Sequence, residues 1–259
     1  MNTPQVVLIT GASSGIGYAT AIAFARRETH VVATARRAER LSALADAINA
    51  LPAPHGDILT IAADVTDAAA MNQAVVQAIE HFGRLDILIA NAGLGQRGAI
   101  SDAPWDDLEV VLRTNIDGVL HSIRAAVPAM RASGGGQIVI ISSVAGQVAM
   151  PYTATYGASK AFVSSLAKSL RLELESDHIG VTDMLVGRTE TEFNANRRGA
   201  ARSASNLPAM TADQVANAIL KAVDRKQQTV VLRVFDRLIL LGNTIAPWLI
   251  ARLAKRQYK

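Results

Sequence analysis

Tyr156 and Lys160 stand four residues apart in Tyr156-Gly157-Ala158-Ser159-Lys160. On a helix that spacing stacks a phenol and an ammonium on one face. A free tyrosine has a pKa of about 10 and is protonated at neutral pH. A neighbouring Lys⁺ favours the phenolate, so the phenol could exchange a proton with a substrate oxygen near neutrality. Tyr-x-x-x-Lys is common by chance, and the reading depends on what accompanies it.

The N-terminus supplies an anion site. Residues 6–10, Val-Val-Leu-Ile-Thr, form the continuous apolar run of a strand buried on both faces. Gly11-Ala12-Ser13-Ser14-Gly15-Ile16-Gly17 follows directly, then a helical pattern over 18–27. A strand, a glycine turn and a helix start direct free N–H groups and the positive helix end at an anion. The spacing Gly-x-x-x-Gly-x-Gly differs from the common Gly-x-Gly-x-x-Gly fingerprint, and an ordinary glycine-rich turn is the alternative. Further on, Asn91-Ala92-Gly93 follows the apolar run 85–90, and Ile140-Ile141-Ser142-Ser143 ends another apolar run.

From about Val6 to Leu232 these segments, in this order, resemble the short-chain dehydrogenase/reductase family. The resemblance implies carbonyl/alcohol interconversion with a nicotinamide cofactor. Tyr156 would be the general acid/base, and Lys160 would lower its pKa and hold the nicotinamide ribose. Ser143 would orient the substrate oxygen; it is preferred to Ser142 because it lies thirteen residues before Tyr156, a usual family interval. Asn115, at the family's helix asparagine, would support a water connecting Lys160 to solvent. Gly11, Ser13, Ser14, Gly15, Ile16 and Gly17 resemble the cofactor turn, and Asn91, Ala92 and Gly93 the second signature. Asp64 and Val65 resemble the adenine contact, although Asp64 could equally be a helix-start acid. Beyond the strand near 181–185 the family's Pro-Gly pair is Val186-Gly187 here, which removes one rigid φ. Gly187, Thr189 and Thr191 would still serve the nicotinamide end. A catalytically silent NADP(H)-binding sensor or scaffold is the alternative function, since a fold alone does not establish activity.

Cofactor preference turns on the end of the second strand, Thr34-Ala35-Arg36-Arg37. An acid there would hold the ribose 2′-hydroxyl of NAD; a guanidinium fork suits a 2′-phosphate. Arg36 and Arg37 therefore favour NADP(H), with NAD(H) as the alternative, unless they merely open a solvated helix. Ser14 stands where many NADP enzymes of the family carry a second basic residue.

Strands are expected over 6–10, 30–35, 58–62, 85–90, 136–142, 180–185 and 229–232, with helices over 37–50, 68–82, 104–130, 152–177 and 211–225. Their alternation predicts an α/β fold: a doubly wound, Rossmann-like parallel sheet of about seven strands with helices on both faces. The 259 residues, half of them hydrophobic, read as one domain over 1–259. Gly11, Asp64, Asn91 and Ser143 all fall at predicted strand ends, where such sheets bind ligands.

A net charge of +4 with 4% aromatics lacks the stacking platforms of a nucleic-acid binder. Cysteine is absent, the five histidines show no metal-ligand spacing, and no signal peptide is evident, so a cytoplasmic, metal-free protein is expected. Residues 147–152 would line the substrate path, suggesting a hydrophobic carbonyl or alcohol. The segment 194–210 reads as a mobile lid or a plain surface loop. The apolar stretch 235–259 ends basic and reads as a helical extension, packing over the pocket or a neighbouring subunit, or lying peripherally on a membrane. The family resemblance implies a homodimer or homotetramer.

Overall fold

The computed structural model describes residues 4–200 and 209–257. Strands β1 (Val6–Thr10), β2 (His30–Ala35), β3 (Ile58–Ala62), β4 (Ile87–Ala90), β6 (Gly136–Ser143), β7 (Ile179–Val186) and β9 (Thr229–Val231) form one sheet. Its order is β3-β2-β1-β4-β6-β7-β9 and the pairings are all parallel. The predicted doubly wound sheet is therefore the observed one.

Alternation within the strands builds both faces. Val6 and Leu8 of β1 join the core under α3 (Ala68–Phe82), α5 (Gly118–Ala132) and α6 (Ala154–Glu173). Val7 and Ile9 join the opposite core, with α1 (Gly15–Ala25), α2 (Ala38–Asn49) and α7 (Ala212–Asp224). A strand buried on both faces must be apolar throughout, which is why β1 and β4 show no polar alternation. The helices carry single apolar stripes; on α2 it is Leu41, Leu44 and Ile48. Asp67 caps α3 by accepting from the amides of Ala69 and Ala70 (2.8 and 3.1 Å), and Gly83 ends it with φ 79°.

Several boundaries differ from expectation. The helix predicted over 104–130 is α4 (Trp105–Leu112), a π-helical turn at Arg113–Asp117, then α5. The wider turn carries Asn115, whose side chain is bonded outside its own helix (below); π-bulges often mark such places. The helix predicted from 152 begins at Ala154, because Tyr152 adopts φ 61° just after Pro151. Short strands β5 (Gln96–Arg97) and β8 (Arg198–Gly199) pair in parallel, an element without a sequence signal. They tie the first part of the expected 194–210 lid to the loop after β4; residues 201–208 lie outside the described residues. The C-terminal stretch forms α8 (Val234–Ile245) and α9 (Pro247–Gln257). Pro247 takes the first position of α9, where its missing N–H costs nothing.

Candidate active site

Chain order in the sheet reverses between β1 and β4, and the glycine turn sits there. Backbone and side-chain hydrogen bonds knit it to Asn91-Ala92-Gly93. The Thr10 hydroxyl accepts from the amides of Asn91 and Ala92 (3.0 and 3.1 Å), and Asn91 Nδ2 donates to the Thr10 carbonyl (2.9 Å). Gly11 has φ +68°, and a Cβ there would lie 2.9 Å from Ala92 Cα. A Cβ on Gly17 would lie 2.4 Å from the Gly11 carbonyl oxygen. No side chain caps the start of α1 at Ser14. The turn is thus a tight backbone cradle at a helix N-terminus, with Ile16 and Gly15 on its rim.

Above it runs a strap, residues 187–200. Thr191 packs so that a Cβ on Gly15 would meet its Cβ at 3.1 Å. Glu192 pairs with Arg37 (3.1 Å) and Arg40 (3.7 Å). Arg37 also donates to the hydroxyls of Ser13 (3.1 Å) and Ser14 (3.0 Å). Arg36 is more exposed and lies 3.9 Å from Asp64, which also accepts from the Thr66 amide and hydroxyl (both 2.9 Å). Arg37 is therefore the guanidinium held over the turn, where the sequence had drawn attention first to Arg36. Thr189 turns back to donate to the Gly187 carbonyl (3.2 Å). Gly187 lies so close to α8 that a Cβ would come within 2.2 Å of an Asp236 carboxylate oxygen.

Gly11, Ser13, Ser14, Arg37, Asp64, Asn91, Thr189 and Thr191 face one cavity of about 920 Å³, which Ser143, Tyr156 and Lys160 also line. Ser143 ends β6; its hydroxyl donates to the Val186 carbonyl (3.1 Å), accepts from the Ala145 amide (3.2 Å) and contacts the Tyr156 hydroxyl. Ser142 instead turns its hydroxyl to donate to the buried Asp183 carboxylate. The structure thus separates two adjacent serines that sequence could distinguish only by an interval.

Burial pushes the Tyr156 phenol above its ordinary value, opposed by the Ser143 hydrogen bond and the Arg197 charge. The expected lowering by Lys160 does not dominate. Lys160 Nζ is buried and donates to the Ile141 carbonyl (2.8 Å); burial lowers its pKa to about 8, against the pull of Asp183. The cation acting on the phenol is Arg197, which also donates to Asn194 (3.0 Å), while Phe193 packs its ring 5.8 Å from that of Tyr156. Glu192, Phe193 and Arg197 were missed as site residues; Glu-Phe directly after Thr191 and the Arg197-Arg198 pair were the available signals.

Asn115 is fully buried. Its Nδ2 donates to the Leu94 carbonyl and Ser159 hydroxyl (both 2.9 Å), and Oδ1 accepts from the Leu94 amide (2.8 Å). It clamps the loop after β4 against α6. A Cβ on Gly93 would lie 3.2 Å from Asn115 Oδ1 and 3.4 Å from Lys160 Nζ, so Gly93 leaves the two groups facing a common space. Asp64 and Val65 line the cavity at the far end, beyond β3.

A glycine cradle at the reversal point of a doubly wound sheet marks a Rossmann-like nucleotide-binding protein. The sequence profile of the family described as short chain dehydrogenase matches residues 5–202, and the chain belongs to that family. It is similar to sulfoacetaldehyde reductase 2 of Chromohalobacter salexigens, 37% identical over 78% of this chain and 79% of that one. It is also similar to a 3-ketodihydrosphingosine reductase of Bacteroides thetaiotaomicron, 36% identical over 75% of this chain and 67% of that one. Among solved structures, a short-chain dehydrogenase from Streptomyces avermitilis has TM-score 0.82 and 28% identity, covering 100% of this chain and 97% of that one. The chain is accordingly an oxidoreductase of the carbonyl/alcohol class.

Proposed function

We propose that this protein is an NADP(H)-dependent reductase that interconverts a hydrophobic ketone or aldehyde and its alcohol, with Tyr156 as the general acid/base. The observation that carries it is that Tyr156, Ser143 and Lys160 line the same cavity as the glycine cradle.

The residues fit a dinucleotide phosphate. Gly11 and Gly17 leave backbone room that any Cβ would fill, and Ser13, Ser14, Arg36 and Arg37 form a donor set matched to a 2′-phosphate. Asp64 and Val65 would hold the adenine, Asn91 to Gly93 would back the turn, and Gly187, Thr189 and Thr191 would face the nicotinamide end. When bound, the cofactor supplies the hydride that forms the new C–H bond.

Tyr156 gives its proton to the carbonyl oxygen as that oxygen gains charge, and recovers one from solvent. Its raised pKa keeps the phenol protonated at neutral pH, the form that reduction consumes. Ser143 would turn its one hydroxyl proton from the Val186 carbonyl to the same oxygen and so position it. Lys160, with a pKa of about 8, is a buried cation that shares the space beside Gly93 with Asn115 Oδ1, where a water would connect it to solvent for proton return. Val148, Phe193, Ile239, Ile250 and Leu253 line the cavity and favour an apolar substrate. Phe162 and Leu172 stay exposed on α6, consistent with pairing between copies through that helix.

Titration with NADPH and NADH, followed by a carbonyl panel, tests this reading. Tighter NADPH binding with turnover supports it. Binding without turnover on any carbonyl refutes the activity, and tighter NADH binding refutes the preference.

A further inference from the structure

The α8–α9 hairpin has two apolar sides. Its inner side, with Ile239, Leu240 and Ile250, packs on Val144, Val148 and Leu185 and walls the cavity that holds Tyr156. Its outer side is open. Val234, Leu238, Leu241 and Ile245 recur at helical spacing on one face of α8, and each is between 56% and 74% exposed. Trp248 and Leu249 continue the exposed apolar surface onto α9.

Charge narrows what covers this face. Arg237, Arg252 and Lys255 are exposed around it. The only acid between residues 233 and 257 is Asp236, which is buried and paired with Arg233 at 2.6 Å. A second copy docked symmetrically on this face would set these cations against their own equivalents. An anionic lipid surface satisfies both the apolar stripe and the cations, with Trp248 suited to the headgroup boundary. Among the described residues no helix is long and apolar enough to cross a membrane, so the hairpin would lie in the interface.

A second cavity of about 650 Å³ opens between α9 and the segment carrying Met150 and Pro151. It shares Ala145, Val148, Met150 and Thr153 with the catalytic cavity and ends at Lys255. These four shared residues form a common wall, along which an apolar track would run from the hairpin to Tyr156.

We propose that the α8–α9 hairpin seats the mouth of the cavity on an anionic lipid bilayer, and that the substrate is a lipid-derived carbonyl or alcohol whose alkyl chain follows this track. The substrate half rests on the reductase reading above; the docking surface does not.

Co-sedimentation of the full chain with phosphatidylcholine vesicles, with and without phosphatidylglycerol, tests it. Sedimentation is expected with the anionic vesicles at low salt and not with the neutral ones. Leu241→Asp/Ile245→Asp removes two apolar anchors outside both cavities. It should cut vesicle partitioning tenfold or more, with unchanged melting and unchanged turnover of a short soluble ketone. Arg237→Gln/Arg252→Gln should weaken the anionic binding alone. No sedimentation with anionic vesicles at low salt, or sedimentation indifferent to the aspartates, overturns the surface. A dimer converted to monomer by the aspartates, with no vesicle binding, overturns it in favour of a second copy. Vesicle binding by a chain inactive on every carbonyl upholds the surface and overturns the lipid substrate together with the activity.

Discussion

The glycine turn and the strap both enclose the same cavity, but they are held by different forces. The turn is fixed by short bonds among backbone groups and Thr10 and Asn91, and by steric room that only glycine leaves. The strap is held by the short β5–β8 backbone pairing and, across the cavity, by charges on partly exposed side chains: Glu192 on Arg37 and Arg40, and Arg198 on Asp107 at 3.9 Å. The first is a preformed receptor that tolerates little change. The second is a salt-sensitive cover, since exposed pairs are worth about 0.2–1 kcal/mol each and are screened by ions. Tyr156 sits where the two meet, touched by Ser143 from the sheet and by Phe193 from the strap.

The largest effect is expected at that meeting point. Tyr156→Phe should lower turnover by about 10²–10⁴-fold while nucleotide affinity, measured by calorimetry, stays within a few-fold. Near-normal turnover would remove the phenol from the chemistry. Gly17→Ala comes next. Its Cβ meets the Gly11 carbonyl and the Asn91 amide that is itself bonded to the turn, and such overpacking costs about 1–3 kcal/mol, to be read as a lower melting temperature or weaker nucleotide binding. Wild-type values for both would show that the turn is less rigid than its geometry demands.

A smaller change, of opposite sign, is expected in the strap. The Glu192 carboxylate occupies the guanidinium of Arg37 that a 2′-phosphate would use. Glu192→Gln should therefore tighten NADPH binding about two- to fivefold, within the value of one exposed pair, leave NADH binding unchanged, and lose that advantage in high salt. Equal effects on both nucleotides would show that Glu192 does not distinguish the phosphate.

The gentlest test is pH. Lys160 has its folded pKa lowered to about 8, so between that value and its ordinary one the unfolded chain binds more protons. Stability should rise with pH across that window. The raised Tyr156 pKa works the other way only above the ordinary tyrosine value. Melting temperatures of wild type and Lys160→Met between pH 7 and 10 check this; parallel curves would mean the ammonium is better solvated than its surroundings imply.

Much of the turn was legible because its determinants are local. A buried strand, a glycine triplet and an apolar helix are contiguous in the chain, and Tyr156 and Lys160 need only one helix to lie together. The strap was opaque because its determinants are remote. Glu192 meets Arg37 across 155 residues, and nothing in either neighbourhood announces the other. Asn115 shows both cases: its place on a helix was readable, but the π-helical turn and the bonds to Leu94, 21 residues away, were not. The C-terminal residues were readable as apolar and basic, yet which side faced the cavity depended on Val144, Val148 and Leu185, far upstream.

The longer segment that carries the strap, 189–210, also begins and ends at one place. Thr189 bridges to Met210, and the Met210 amide donates to the Arg188 carbonyl at 2.9 Å. The two ends of this segment are thus held together by backbone pairing. Lengthening such a loop costs little, about 0.6 kcal/mol for each doubling. The cover of this cavity can thus be rewritten by insertion or exchange while the sheet beneath keeps its register, which gives one scaffold a cheap route to new substrates.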